Sequence, residues 1–456
     1  MKIFSKFLIS FLLLCFTVTA FGSTRELEVH LNPSYPSINF CIIPQTIFTT
    51  EEQKIYCNKL YQTLQESLSL GDIFIPISKK IPTFLKDPLN PETIAFCKKE
   101  KVDIIILFKI AYPEITISVH SVHFNSTYSI PSFAISNKIN KDLEYIYQTA
   151  NLIHKKTTGI SGIAGTKILF SCSQTATSLT NNFEESAICI VDLNNKKPQT
   201  IINDHKVSLC PKFIPSISHP KYYLFVSYST GIPKIFLHNL KTNTSQKLIS
   251  LKGNQLMPTM SYQKDKIAFI SDVRGNPDLY IQNFSFEKGS ISNPIQLLSS
   301  DFGAQGNPCF SPDGNKIAFV SNKEGLPKIY IISLFPSLTV PSLLSKKHRD
   351  SNCPSWSPDG KKIVFCSLTN GIRQLWLIDL FSLEETQLTF CPHHKEDPSW
   401  APNNTHIVFS MKKQDTSDLY VLSLITKKVK KLTEGPGEKK FPSWEMHMPQ
   451  KMWRTL

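Results

Sequence analysis

Cys353-Pro-Ser-Trp-Ser-Pro-Asp-Gly-Lys-Lys-Ile-Val-Phe-Cys-Ser367 decides the fold, because the chain repeats it. Asn307-Pro-Cys-Phe-Ser-Pro-Asp-Gly-Asn-Lys-Ile-Ala-Phe-Val-Ser321 precedes it, and Asp397-Pro-Ser-Trp-Ala-Pro-Asn-Asn-Thr-His-Ile-Val-Phe-Ser410 follows one residue shorter. Looser copies start at Pro211 and Pro258, and a fragment, Phe441-Pro-Ser-Trp444, begins the pattern and stops. Self-similarity at such a period marks a repeat architecture.

Each copy reads as four short strands. A Pro is expected to open the first, where a missing N–H does little harm. Ser-Pro-Asp-Gly makes a tight turn, with Pro setting φ and Gly ending it, so Asp313 and Asp359 are turn residues rather than catalytic acids. The second strand, such as Lys316 to Ser321, is apolar on both faces, as befits a sheet held between two others. A third strand such as Lys328 to Ile332 or Gln374 to Ile378 and a polar outer one such as Thr386 to Thr389 complete a propeller blade.

The prolines at 211, 258, 308, 354, 398 and 442 are 47, 50, 46, 44 and 44 residues apart. Six units of about 46 residues, a period in the propeller range, ending at 442 would begin at 166. There Lys167-Ile-Leu-Phe-Ser171 supplies a second strand with no inner strand before it. The fragment Pro442-Ser-Trp444 is therefore expected to return and complete that blade, closing a six-bladed ring without an open edge.

Upstream the hydrophobic period changes. Ile38 to Ile43 reads as a strand, and Thr49-Thr-Glu-Glu52 as a capping box for a helix carrying Ile55, Leu60, Leu64 and Leu68 and stopping at Gly71. Ile73 to Ile77 is strand-like, and Asn90-Pro91-Glu92 opens a short helix. Val102 to Ile110 reads as a buried strand, Ile115, Ile117 and Val119 as a half-exposed one, and Asp142 to His154 as a last helix. The fold class expected is an α/β N-terminal domain plus an all-β six-bladed β-propeller closed by a C-terminal strand. The division expected is a signal peptide at 1–22, an extended arm at 23–36, the α/β domain at 37–158, the propeller at 159–446 and a tail at 447–456.

The signal rests on Lys2 and Lys6 before the apolar run Phe7 to Val18, with small residues near Ala20 for cleavage. That run is short of the roughly twenty residues needed to cross a bilayer, and no later segment qualifies. Cys15 follows Leu14, which does not suit lipid attachment. The net charge of +14 falls to +12 when Lys2 and Lys6 leave. Forty-five of the fifty basic residues are Lys and five are Arg, the residue with the planar fork favoured for phosphate and base edges, so nucleic acid is not the expected partner. Ten cysteines remain without a C-x-x-C pair or a zinc spacing, so no metal is expected. A bridge among Cys41, Cys57 and Cys97 is open to an exported chain, and the sequence does not settle the pairing.

Leu60-Tyr-Gln-Thr-Leu-Gln-Glu-Ser-Leu-Ser-Leu-Gly-Asp-Ile-Phe-Ile-Pro-Ile77, the junction Ile153-His-Lys-Lys-Thr-Thr-Gly-Ile-Ser-Gly-Ile-Ala-Gly-Thr-Lys-Ile-Leu-Phe170 and the Pro-x-Trp-Ser-Pro-Asp-Gly blades together resemble the TolB family of the bacterial Tol-Pal envelope system. The resemblance covers nearly the whole mature length, although the first blades lack Ser-Pro-Asp-Gly. It implies a periplasmic, monomeric protein whose propeller binds the peptidoglycan-associated lipoprotein Pal and whose arm TolA can engage. Outer-membrane integrity and envelope constriction in division are the roles it implies.

The expected binding face is the channel mouth, where loops precede the inner strands. Asn254, Gln255, Gln305, Arg349, Asp350, Asn352, His394, Lys395 and Lys439 sit there, polar groups suited to orienting a folded partner, although any one of them alone reads more readily as a solvated loop residue. The rival class is an enzyme: a free-standing propeller hydrolase or lyase on an envelope or glycan substrate. A peptidase of the propeller-bearing kind needs G-x-S-x-G and a long catalytic domain, and neither is present. His393-His394 with Glu396 and Asp397 is the cluster to weigh as a metal or acid site, but adjacent strand residues point to opposite faces. No catalytic residue, cofactor or metal is assigned. A lysine-rich cell-wall or lipid binder is the third class.

Overall fold

The computed structural model describes residues 37–46, 50–77, 90–173, 185–216, 221–290, 292–298, 300–335, 340–348, 350–414 and 416–446. The expected signal, arm and tail, together with Thr49 and Arg349, lie outside the described residues.

The N-terminal region runs β1 (Ile38–Thr46), α1 (Glu51–Ser69), β2 (Phe74–Pro76), α2 (Pro91–Lys99), β3 (Ile104–Ala111), β4 (Glu114–Ser121), β5 (Ser126–Ala134) and α3 (Ile139–Thr158). Its strands form one sheet in the order β2-β1-β3-β4-β5. β1 is parallel to β2 and β3, while β3, β4 and β5 are antiparallel. The cap of α1 is Thr50, whose hydroxyl accepts from Gln53 N at 3.2 Å, with Glu51 and Glu52 favourably placed in the first turn. Cys57, Leu60, Leu64 and Leu68 face the core, but Ile55 is 65% exposed. Five residues before Leu60, it falls well off that face. Ile115, Ile117 and Val119 of β4 are buried. β5 escapes the sequence reading because Ser-Thr-Tyr-Ser-Ile-Pro-Ser-Phe-Ala is polar and holds Pro131. It is an edge strand, where proline is tolerated, and its pairing with β4 shifts register between Ile115 and Ile117.

β6 (Lys167–Ser173), β7 (Ser186–Asp192) and β8 (Gln199–Ile202) begin a β-propeller. Four sheets are separate; they start at Ser208, Gln255, Gln305 and Ser351. The remaining sheet has eight strands, and a single parallel pair, Ser417 with Glu438, joins its two halves. In that sheet Glu438–Trp444 lies antiparallel to β6, with Trp444 opposite Ile168 and Ser443 opposite Leu169.

The prolines stand in the middle of the inner strands rather than at their starts, as in Ser351–Trp356 with Pro354 fourth. Before each is a residue with φ between 46° and 54°: Cys210, Met257, Asn307, Cys353, Asp397 and Phe441. The pairing register shifts there. A bulge at this point skips the ladder position at which proline has no N–H to give. Each inner strand therefore starts three or four residues earlier than the motif suggests.

The second strands are buried on both faces. Ile317 and Phe319 pack with Ile270 and Leu279 of the preceding sheet, and Ala318 packs with Trp356 and Ile363 of the following one. In the turns, Gly314 N bonds Ser311 O and Gly360 N bonds Ser357 O, both at 2.9 Å. Asp359 accepts from Ser357 Oγ at 2.6 Å and Lys361 N at 3.1 Å, closing its own turn, and Asp313 bonds the matching partners Ser311 and Asn315.

The N-terminal region is seated on the turn side of the propeller. Asn194 Nδ2 donates to Ser67 Oγ at 2.8 Å, Lys430 pairs with Asp72, and Ile425 packs on the core beneath α1 and α3. Gly162 lies against Asn151, which brackets Ala164 by accepting from its N at 2.9 Å and donating to its O at 3.0 Å. Among the described residues no helix is long and apolar enough to cross a membrane.

Candidate partner-binding face

The inner-strand residue three places before the proline faces backward, onto the sheet before it, and this determines what its side chain can reach. Gln255 and Gln305 are buried, and so are Lys395 and Lys439. Gln255 accepts from Ile235 N at 3.3 Å and donates to Leu251 O at 2.9 Å. Gln305 accepts from Leu279 N at 2.7 Å. Lys395 Nζ donates to Gln374 Oε1 at 2.9 Å and to Cys391 O. Lys439 Nζ donates to Pro436 O at 2.9 Å and lies 3.3 Å from Asp418 Oδ1. Burial pushes the Lys395 ammonium below its ordinary pKa, with Cys391 pulling the other way. The expectation that these four groups face a partner is corrected: each is a clasp between neighbouring sheets. A buried donor or acceptor needs partners, and the adjacent sheet is where they are found.

Asn254 is also held internally, its N and Nδ2 both donating to Asp272, the former at 2.7 Å. Asp350, Asn352 and His394 are brought together instead, around a residue absent from the expected set. Arg373 donates to both oxygens of Asp350 at 3.3 and 3.2 Å, and its Nε lies 3.2 Å from Glu396 Oε1. Asn352 Nδ2 donates to Asp350 at 2.7 Å, and exposed His394 accepts from Arg373 N at 3.3 Å. The two-pronged Arg–carboxylate contact fixes the plane of the guanidinium at the rim. Beyond it, Glu438 binds Lys440 and lies 3.4 Å from Lys412.

Arg373 was missed because it sits in a third strand, Ile372–Asp379, outside the loops that the repeat motif singles out. Its scarcity was the available signal, one Arg among five in a chain with forty-five Lys. The rim is therefore lopsided. Asn352, Glu396 and Lys440 occupy the inner-strand position at which other strands carry Leu209, Leu256 and Gly306.

Below the rim lies a central cavity of about 130 Å³ lined by Cys210, Met257, Asn307, Cys353, Asp397 and Phe441. Asp397 accepts from Cys353 Sγ at 3.3 Å and from Phe441 N at 3.2 Å, and burial raises its carboxyl pKa. These contacts run from one inner strand to the next, so the groups at the axis hold one another. Among the described residues no three His, Cys, Asp or Glu side chains converge as metal ligands. The ten cysteines among the described residues are unbridged, and Cys41 and Cys97 lie in one buried cluster.

A family profile described as the TolB beta propeller domain matches residues 154–448. A Protein TolB homolog of Chlamydia trachomatis serovar D is 37% identical over 326 residues, covering 72% of this chain and 70% of that protein. A Protein TolB homolog of Chlamydia caviae is 41% identical over 299 residues, 65% of each. The crystal structure of TolB from Acinetobacter baumannii superposes with a TM-score of 0.74 at 20% identity, covering 91% of this chain and 98% of that one, and so shares the fold.

Proposed function

Because this chain belongs to the TolB β-propeller family, a group of non-enzymatic Tol-Pal components, we propose that it is a periplasmic protein that binds a Pal-like peptidoglycan-associated lipoprotein at the rim of its propeller. The observation that carries this reading is the polar sector built by Arg373 with Asp350, Asn352, His394 and Glu396. Preset charges at a rim orient and select a folded partner. In the same reading, TolA engages the arm at 23–36, and the protein acts as a monomer in outer-membrane integrity and division.

Six blades follow if the eight-stranded sheet counts as two. The lone pair Ser417–Glu438 supports that division, because every other neighbouring pair within the two halves forms a ladder of two or more rungs. The pairing of Glu438–Trp444 with β6 supports closure by the C-terminal strand. We accordingly divide the chain into the α/β domain at 37–158 and the propeller at 159–446, after the signal and arm.

Calorimetric titration of the mature chain with the soluble domain of a Pal-like lipoprotein tests the function. Saturable binding that falls at least tenfold in the Arg373→Glu, Lys440→Glu double variant is expected. Affinity unchanged by the double variant moves the site off this rim, and absence of binding rejects the partner.

A further inference from the structure

On the opposite side of the propeller from the rim, at the hairpin turns, lies a groove of about 380 Å³ lined by Ile214, Pro215, Lys221, Tyr222, Lys264 and Phe286. Its walls come from two neighbouring sheets. Tyr222 opens the second strand of one, while Lys264 and Phe286 belong to the turns of the next. Phe286 remains 40% exposed although its ring sits 5.0 Å from those of both Tyr222 and Phe284. Three packed rings thus hold an open apolar wall.

The two lysines are close enough to repel, and partial burial together with Lys221 makes the charged form of Lys264 less favourable than usual. Among the described residues neither ammonium has a carboxylate within ion-pairing distance, whereas the nearby Lys266 is paired with Asp265. Two like charges lining one groove, one of them partly buried, leave it short of an anion. An apolar wall beside that deficit selects what the anion is attached to.

We propose that this groove binds an acidic peptide segment of a partner protein, seating a Phe or Leu side chain against Tyr222 and Phe286 and an adjacent Asp or Glu carboxylate between Lys221 and Lys264. The volume admits a side chain or two and not a folded domain. The site is separate from the rim and does not depend on the Pal reading.

The test titrates the mature chain with acetyl-Glu-Phe-Glu-amide and with its Gln-Phe-Gln counterpart, following heat and Tyr222 side-chain NMR shifts. Saturable binding of the acidic peptide, at least tenfold weaker for the neutral one and for the Lys221→Gln, Lys264→Gln variant, is the expected result. Phe286→Ala should weaken it as well, while the circular dichroism spectrum and melting temperature of every variant stay close to those of the unaltered chain. Equal binding of the two peptides, binding indifferent to the lysines, or no saturation at millimolar peptide overturns the proposal. So does lysine-dependent retention on phosphatidylglycerol vesicles without peptide binding, which would make the groove a lipid contact.

Discussion

Trp444 Nε1 donates to Thr166 Oγ1 at 3.0 Å, joining residues 278 positions apart and fixing the last described strand to the start of the first propeller strand. The indole packs with Ile168, Phe170 and Val191 and is 1% exposed.

Trp444→Ala should therefore cost about 3–5 kcal/mol, the range for emptying a large aromatic site in a core. Trp444→Phe keeps most of the packing but strands Thr166 Oγ1 as a donorless acceptor, and should cost about 1–2 kcal/mol. Urea unfolding monitored by circular dichroism separates the two. A Trp444→Ala variant within about 1 kcal/mol of wild type would show that the indole's seat contributes little.

Lys395→Ala is expected to separate stability from binding. It leaves Gln374 Oε1 and the Cys391 carbonyl without their cation, at a cost of about 1–3 kcal/mol. Partner affinity of the folded variant should be unchanged, because the ammonium is buried. His394→Ala, at the exposed rim, should do the reverse, lowering affinity with little change in melting temperature. A titration in which Lys395→Ala alone abolished binding, with the fold intact, would return that lysine to the surface set.

Acid should loosen the seat of the N-terminal region. Burial holds His154 down at about 4, against a hydrogen bond from its ring to Leu68 O, and holds His406 down at about 3. Both are neutral in the fold and would take up protons near pH 6.5 when unfolded. Stability from them is thus complete above about pH 6.5 and falls as pH drops toward 4, by about 1.4 kcal/mol per pH unit for each. Urea midpoints from pH 7 to pH 4 should decline, and His154→Gln should flatten part of that slope. A slope identical in the variant would remove His154 from the account.

Gly162→Ala should destabilise the junction between the two regions. A Cβ there would come 2.4 Å from Asn151 Oδ1, the group that accepts from Ala164 N. Either the asparagine swings away and loses both bonds to Ala164, or the backbone shifts, at about 1–3 kcal/mol. Hydrogen exchange at Ala164 N should accelerate; unchanged protection would mean that the neighbour gives way freely.

Much of the propeller's local structure was legible. Lys316 to Ser321 is apolar without alternation, and only a strand buried on both faces accommodates that pattern. Ser-Pro-Asp-Gly carries its own turn, since Pro, Asp and Gly each act on the backbone within four residues. The N-terminal helices announced themselves through Asn90-Pro91 and the Leu60, Leu64, Leu68 stripe, and a polar edge strand with a proline did not.

The amino-acid order by itself determined the repeat, its period and the family, because these rest on local backbone preference and on residues that recur in register. Only the tertiary structure decided which polar groups near the rim are available to a partner. Lys395 and His394 are neighbours in the chain, yet one is a clasp and the other is exposed, since successive strand residues point to opposite faces. What lies on each face belongs to another sheet some forty to fifty residues away, and no local pattern records it.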